Sequence, residues 1–247
     1  MTTNGSQRPP ILVAEGLRKV YRSGSDSVVA LRGLDLVVPA GQFLAVMGPS
    51  GSGKTTLLNC ASGLDEIDGG RVLVDGLSIH ELSDKERTKH RAKEMGFIFQ
   101  AFNLIPVFTA TENVELPLLL AGVREQDARE RARETLTRIG LGHRLDRRPM
   151  ELSGGEQQRV AVARALAGKP RIVWADEPTG NLDSEMAAAV TELLGDLHAE
   201  GLTIILVTHD PTVAAEAERL VTVRDGRLVG DEMLGSPAEE VREVALR

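Results

Sequence analysis

The run QFLAVMGPSGSGKTTLLNC, residues 42–60, constrains the fold more than any other stretch of the 247-residue chain. Gln42 to Gly48 is a continuous apolar run closing on glycine, the pattern of a buried strand. TTLLNCASG then carries a helical pattern. Between them, Gly48 to Thr56 fits G-x-x-x-x-G-K-[ST] in the strand–loop–helix setting of a phosphate-binding loop. Gly48, Gly51 and Gly53, with Pro49, Ser50 and Ser52 between them, let the backbone curl so that its N–H groups point at a phosphate chain. The helix that follows adds its positive N-terminal end. Lys54 is placed to reach the β- and γ-phosphates, and Thr55, followed by Thr56, to offer a hydroxyl to Mg²⁺.

The last third of the chain has a strand–helix rhythm. RIVWAD and LTIILVTHD read as buried strands, and SEMAAAVTELLGDLHAEG as the helix between them. Asp210-Pro211 caps and starts another helix, and LVTVRDGRLV reads as a hairpin around Asp225-Gly226. Such alternation predicts an α/β fold, a parallel sheet with helices on its faces. The first 80 residues are rich in strands. Residues 83–167 are mostly helical, with capping boxes at Ser83/Glu86 and Thr109/Glu112 and the short strand MGFIFQ between them. The mixed charges of EQDARERARETLTRIG predict a solvated helix face, and Trp174 is expected in the core. Residues 1–10 read as a disordered lead-in and 231–247 as a C-terminal tail.

In open parallel sheets, ligands bind beyond the carboxyl ends of the strands. Three such ends carry loaded residues. The first is the phosphate loop. The second, IVWADEP, delivers two carboxylates: Asp176 to hold Mg²⁺, directly or through its water, and Glu177 to act as general base on an attacking water. The third puts His209 just past its strand, where a neutral imidazole can bond the γ-phosphate and orient Glu177 and the water. Gln100 ends GFIFQ and can reach Mg²⁺ or that water. Tyr21, on an early β segment, offers a ring to stack on adenine; a half-buried strand tyrosine is the plainer alternative.

LSGGEQQRV, residues 152–160, is a helix start that contradicts itself. Ser153 and Glu156 fit a capping box, yet Gly154 and Gly155 occupy the first turn, where alanine is better by about 1 kcal/mol per site. A bare helix start with free N–H groups and about half a positive charge suits an anion.

GPSGSGKT, Gln100, LSGGEQQRV, WADEP, GNLD and His209 occur in the order found in ATP-binding-cassette (ABC) ATPases. The resemblance covers residues 11 to about 230. It implies a P-loop NTPase fold with a mainly parallel core sheet, an antiparallel β-subdomain and a helical subdomain at about 101–168. It also implies that Ser153, Gly154, Gly155 and Glu156 face the ATP of a second copy of the chain, two MgATP lying sandwiched between two domains. Glu156 stands where the family more usually has Gln. Asp183 in GNLD resembles the residue that crosses that dimer interface, and it is also placed to cap the next helix. GLDEIDGGRV, GFIFQAFNLIPVFTATENVELPL and DEPTGNLD resemble the group of macrolide exporters (MacB), lipoprotein-releasing machines (LolD) and the cell-division ATPase (FtsE). There the ATPase pairs with a permease that has a large extracytoplasmic domain. Phe102, Leu104 and Phe108 are then expected in the groove that receives a permease helix.

Charge and cysteine content narrow the classes. A net charge of −7 argues against broad nucleic-acid binding. One cysteine, Cys60, allows no internal disulfide and is expected in the core. With no signal-peptide pattern and no apolar run near the ~20 residues of a membrane span, the chain is expected at the cytoplasmic face of the membrane, held there by the permease. Signalling without transport, as in the cell-division members, is the alternative output. Action on DNA or ribosomes is disfavoured, because no coiled-coil or zinc insertion separates the phosphate loop from LSGGE.

Overall fold

The computed structural model describes residues 9–24 and 26–234. The first strands, β1 (Pro10–Ser23) and β2 (Asp26–Pro39), pair antiparallel along their length. With β4 (Gly69–Val74) and β5 (Leu77–Ser78) they form a four-stranded sheet of order β2-β1-β4-β5. A second sheet holds β3 (Phe43–Met47), β6 (Met95–Phe99), β7 (Ile172–Asp176), β8 (Thr203–Val207), β9 (Arg219–Arg224) and β10 (Arg227–Met233). Its order is β10-β9-β3-β8-β7-β6. All neighbours are parallel except the β9–β10 hairpin.

The continuous apolar strands are explained by a sheet covered on both faces. Side chains of a strand alternate between faces, and the two faces enter different cores. Leu44 and Val46 of β3, Trp174 of β7 and Val207 of β8 pack toward the antiparallel sheet and α1 (Lys54–Ala61). Phe43 and Ala45, Val173 and Ala175, and Ile204 and Leu206 pack on the other side, against α5 (Gly154–Leu166) and α6 (Ser184–Ala199). Trp174 and Cys60 are core residues, and burial pushes the Cys60 thiol up to about 12, which leaves it inert at neutral pH.

A third core joins α3 (Ala110–Leu120), α4 (Glu125–Arg138) and α5. The charged helix α4 buries Ala128, Ala132 and Leu136, a stripe at i, i+4, i+8, and leaves most of its charges in solvent. Helix α5 contributes Val162 and Ala165 to the sheet core and Val160 and Ala163 to the helical core. It is the shared wall between them. The expected capping boxes form at Ser83, which opens α2 (Asp84–Glu94), at Thr109 and at Ser153. Asp210 caps α7 (Pro211–Ala214), with Pro211 at its first position.

Two boundaries differ from the expectation. Pro10 is already in β1, opposite Pro39, and the Pro9 carbonyl accepts from Ala40 N at 2.9 Å. A proline is tolerated at the first position of a strand. At the other end β10 runs past Gly230 to Met233, because the β9–β10 ladder continues. The remaining expectations for residues 1–8 and 235–247 lie outside the described residues.

Candidate active site

Strand register brings the loaded residues to one sheet edge. Phe99 pairs with Asp176, Asp176 with Val207, and Val207 with Val46. Gln100, Glu177, His209 and the loop after Met47 therefore leave the sheet side by side.

Residues 48–53 fold as a tight loop that only glycine permits at two points. Gly48 has φ 152° and Gly53 φ 105°. A Cβ on Gly48 would lie 2.0 Å from the Val223 carbonyl oxygen, and one on Gly53 2.7 Å from that of Ala30. Gly53 is also the N-cap of α1, and no side chain caps that helix. Its first-turn amides are left for a ligand. Lys54 is 8% exposed, and its ammonium donates to the carbonyls of Gly48 at 2.8 Å and Pro49 at 3.0 Å, spanning the loop it would share with phosphate. Gly51, Gly53, Lys54, Thr55 and Thr56 line a cleft of about 540 Å³, closed by Tyr21, Val28, Ala30, Arg32, Glu177 and Gly226. Tyr21 thus reaches the same cleft from β1.

Thr55 Oγ1 lies 3.1 Å from Asp176 Oδ1. Burial pushes the Asp176 carboxyl above the usual carboxylate range; the Thr55 hydrogen bond and Lys54 oppose the shift, and the Glu177 charge adds to it. A hydroxyl beside a carboxylate whose charge its neighbours do not fully offset is a hard-oxygen pair that fits Mg²⁺.

Glu177 has φ 47°, in the left-handed region that a residue with a side chain adopts only when its surroundings impose it. Its N–H donates to the Val207 carbonyl at 2.8 Å, and its own carbonyl accepts from Gly180 N at 3.1 Å. The turned backbone aims its carboxylate at His209, with Oε2 2.8 Å from Nδ1. An ionised carboxylate can only accept, so this contact puts a proton on Nδ1 and leaves Nε2 for another partner.

Gln100 packs on the turn that follows Glu177. Its side chain lies against Gly180, its Nε2 faces Asn181 Oδ1 at 3.4 Å, and Asn181 Nδ2 donates to the Gln100 carbonyl at 2.9 Å. It does not line the cleft around Lys54. Asn181 and the fully buried Gln158 are functional candidates that sequence reasoning missed. Gln158 donates from α5 to the Pro178 carbonyl, one residue beyond Glu177. A polar residue on the buried stripe of α5 was the available signal.

The start of α5 lines no part of that cleft. Ser153 Oγ accepts from Glu156 N at 3.2 Å, and Glu156 Oε2 accepts from Ser153 N at 2.8 Å. Glu156 Oε1 accepts from Arg144 Nε at 2.8 Å. The Ser153 amide and then Arg144 hold the Glu156 carboxyl below its usual range and offset its charge. The two glycines have different reasons. A Cβ on Gly155 would sit 2.8 Å from Met186 Sδ, so its absence lets α5 pack on α6; a Cβ on Gly154 would meet only Leu182 at 3.7 Å. Of the two glycines, only Gly154 leaves open space at this helix start. Asp183 caps α6, accepting from Met186 N at 2.9 Å.

A separate apolar groove of about 390 Å³ lies where α2, α3 and the end of β6 meet, lined by Leu64, Met95, Phe97, Phe99, Pro117 and Leu120 among others. Its walls do not include Phe102, Leu104 or Phe108: Phe102 sits in a left-handed turn with φ 59°, and Leu104 packs against the helical core. Among the described residues, no helix is long and apolar enough to cross a membrane.

Comparison with known proteins places these features in one family. Residues 31–180 match the family model described as ABC transporter. The chain is 46% identical to an uncharacterized ABC transporter ATP-binding protein, YvrO of Bacillus subtilis, over 90% of this chain and 97% of that one. It is also 46% identical to the macrolide export ATP-binding/permease protein MacB of Brucella melitensis, over 90% of this chain but 34% of that protein. The chain thus spans about a third of such MacB relatives. Among solved structures, a dimeric post-hydrolysis state of the ATP-binding cassette MJ0796 bound to ADP and Pi superposes with a TM-score of 0.84 at 42% identity, covering 90% of this chain and 98% of that one.

Proposed function

The chain belongs to the ABC transporter family, and from that premise we propose that it is the ATP-hydrolysing subunit of a transporter, active as a dimer of two copies around two MgATP. Residues 10–233 form the cassette, with about 101–168 as its helical part. One observation carries the reading. The Thr55–Asp176 pair and the Glu177–His209 pair meet at one sheet edge beside an uncapped helix start.

The residues divide the work as follows. The amides of residues 50–56 and the Lys54 ammonium bind the phosphate chain, and Tyr21 stacks on adenine. Thr55 and Asp176 would hold Mg²⁺, with Gln100 able to join from the neighbouring strand end; the ion supplies charge neutralisation at the phosphate oxygens. Glu177 accepts the proton of the attacking water. His209 donates to Glu177 from Nδ1 and orients it, and its Nε2, then a lone-pair acceptor, is left to accept from the attacking water rather than to bond a γ-phosphate oxygen. Ser153 and Gly154 complete the site of the other copy, and Asp183 reaches across the same interface.

Similarity to MacB supports a permease of the macrolide-export or lipoprotein-release type, with a large extracytoplasmic domain, as the partner. The groove between α2, α3 and β6 is the surface we assign to a permease helix. The protein then works at the cytoplasmic face of the membrane, with no nucleic-acid partner.

Ser153→Arg tests the composite site. It should abolish ATP hydrolysis while ATP binding to the monomer, followed by calorimetry, stays close to that of the unaltered protein. Equal loss of both would mean that α5 serves its own cleft.

A further inference from the structure

Tyr21 is fastened more firmly than an exposed strand tyrosine requires. The residue is 43% exposed, yet its hydroxyl donates to Asp65 Oδ2 at 2.8 Å. Lys19, two residues earlier and so on the same face of β1, is almost fully buried and lies with Nζ 5.0 Å from the ring centroid. That ammonium donates to Asp65 Oδ1 at 2.7 Å and to the Glu66 carbonyl at 2.6 Å. Asp65 Oδ1 also accepts from Glu66 N at 2.8 Å. One carboxylate therefore holds the edge of the ring and the cation beside it.

Asp65 is not on β1. It lies in the turn that closes the phosphate-loop helix, where the N–H groups of Leu64 and Asp65 donate to the Asn59 carbonyl at 2.8 and 3.1 Å. Asp68 bolts the same turn to β1, accepting from Val20 N at 2.7 Å and from Arg22 at 3.0 Å. Burial works against the Asp65 charge. The bonds from Lys19 and Tyr21 outweigh it and hold the carboxyl below its usual range.

We propose that Asp65 and Lys19 are positioning residues for nucleotide recognition: they fix the Tyr21 ring relative to α1, so that base and phosphates are gripped by one rigid unit. The proposal rests on the ATP reading and goes beyond it, since it assigns the accuracy of base stacking to a carboxylate outside the cleft. Pre-orienting an aromatic ring spares the nucleotide the cost of ordering it.

The test compares ATP with inorganic tripolyphosphate, which has phosphates and no base, by titration calorimetry on the full chain. Asp65→Ala should weaken ATP binding about 3- to 10-fold, the scale of an aromatic contact, and leave tripolyphosphate binding unchanged. Tyr21→Phe keeps the ring and the Lys19–Asp65 pair, so it covers the case in which Asp65→Ala fails to fold. It should weaken ATP alone, in the same direction. The Tyr21→Phe, Asp65→Ala double variant should lose no more than Asp65→Ala alone, because Asp65→Ala has already removed the Tyr21 bond. Tyr21 is the only tyrosine of the chain, so a ¹³C-tyrosine NMR signal reports the ring directly and should shift in Asp65→Ala. ATP binding at full strength in Tyr21→Phe and Asp65→Ala, with loss in Tyr21→Ala, would overturn the positioning role and keep the stacking. Full-strength ATP binding in Tyr21→Ala would overturn the stacking itself. Parallel loss of tripolyphosphate binding in Asp65→Ala would reduce Asp65 to a structural residue and overturn the proposal.

Discussion

Two helices of this molecule begin on glycine-rich turns, and they treat their free N–H groups in opposite ways. Helix α1 has Gly53 as its N-cap and no side-chain cap, and its start opens into a cleft built by the same chain. Helix α5 is closed on itself by the Ser153–Glu156 box, its Gly155 N–H faces Met186 Sδ at 3.2 Å, and its start lines no part of that cleft. The difference separates binding from completion. The α1 start offers a whole row of amides to a phosphate chain. The α5 start keeps back little beyond the Ser153 hydroxyl proton and the Gly154 backbone, enough to touch one phosphate presented from outside. On the proposed reading, a chain with both ends holds ATP alone and a second copy finishes the site.

Alanine at each glycine breaks this comparison in graded steps. Gly53→Ala combines a left-handed φ with a Cβ 2.7 Å from the Ala30 carbonyl oxygen. It should cost about 2–4 kcal/mol, lowering Tm by about 2–4 °C per kcal/mol, and abolish ATP binding. Gly155→Ala presses on Met186, a flexible side chain that can yield in part. Calorimetric melting should show a loss of about 1–2 kcal/mol. Gly154→Ala should instead stabilise the chain, by up to about 1 kcal/mol, while ATP turnover falls and ATP binding to the monomer is kept. A Gly154→Ala protein that turns over normally would remove α5 from the composite site.

A smaller effect concerns the metal side of the comparison. Burial raises the folded-state pKa of Asp176, so the nucleotide-free protein gains protons more readily than its unfolded chain. The stability linked to this group is therefore present below the ordinary carboxylate pKa of about 3.9 and lost as pH rises through the raised folded value. Asp176→Asn stays neutral at every pH. In urea titrations without nucleotide it should be the more stable protein at neutral pH, with the advantage shrinking as the solution is acidified. A loss of stability at neutral pH would mean that the carboxylate is held favourably charged.

Much of this was legible in the sequence because it is local. The apolar run of Phe43 to Met47, the loop glycines, the three capping boxes and the strand-end residues Asp176, Glu177 and His209 are all set by spacing along a few residues. What escaped involves partners far apart in the chain. Gly155 is glycine because Met186 packs there, and Tyr21 is tied to Asp65, 44 residues on. Gln158 grips the turn beyond Glu177 from a helix that reads as ordinary core. The placing of Phe102, Leu104 and Phe108 outside the groove beside β6 has the same origin. Apolar character along a segment says that side chains are covered, and only the packing of α2, α3 and β6 says which ones wall a groove.

The central claim is that one chain makes a binding site and two make a catalytic one. Glu177→Gln removes the proposed general base, a change worth about 100- to 10,000-fold in rate, and leaves the phosphate loop and α5 intact. Light scattering of this variant at saturating MgATP, against the same sample without nucleotide, measures the claim directly. The account predicts a species of twice the monomer mass only with MgATP. A protein that binds MgATP and remains monomeric would contradict it.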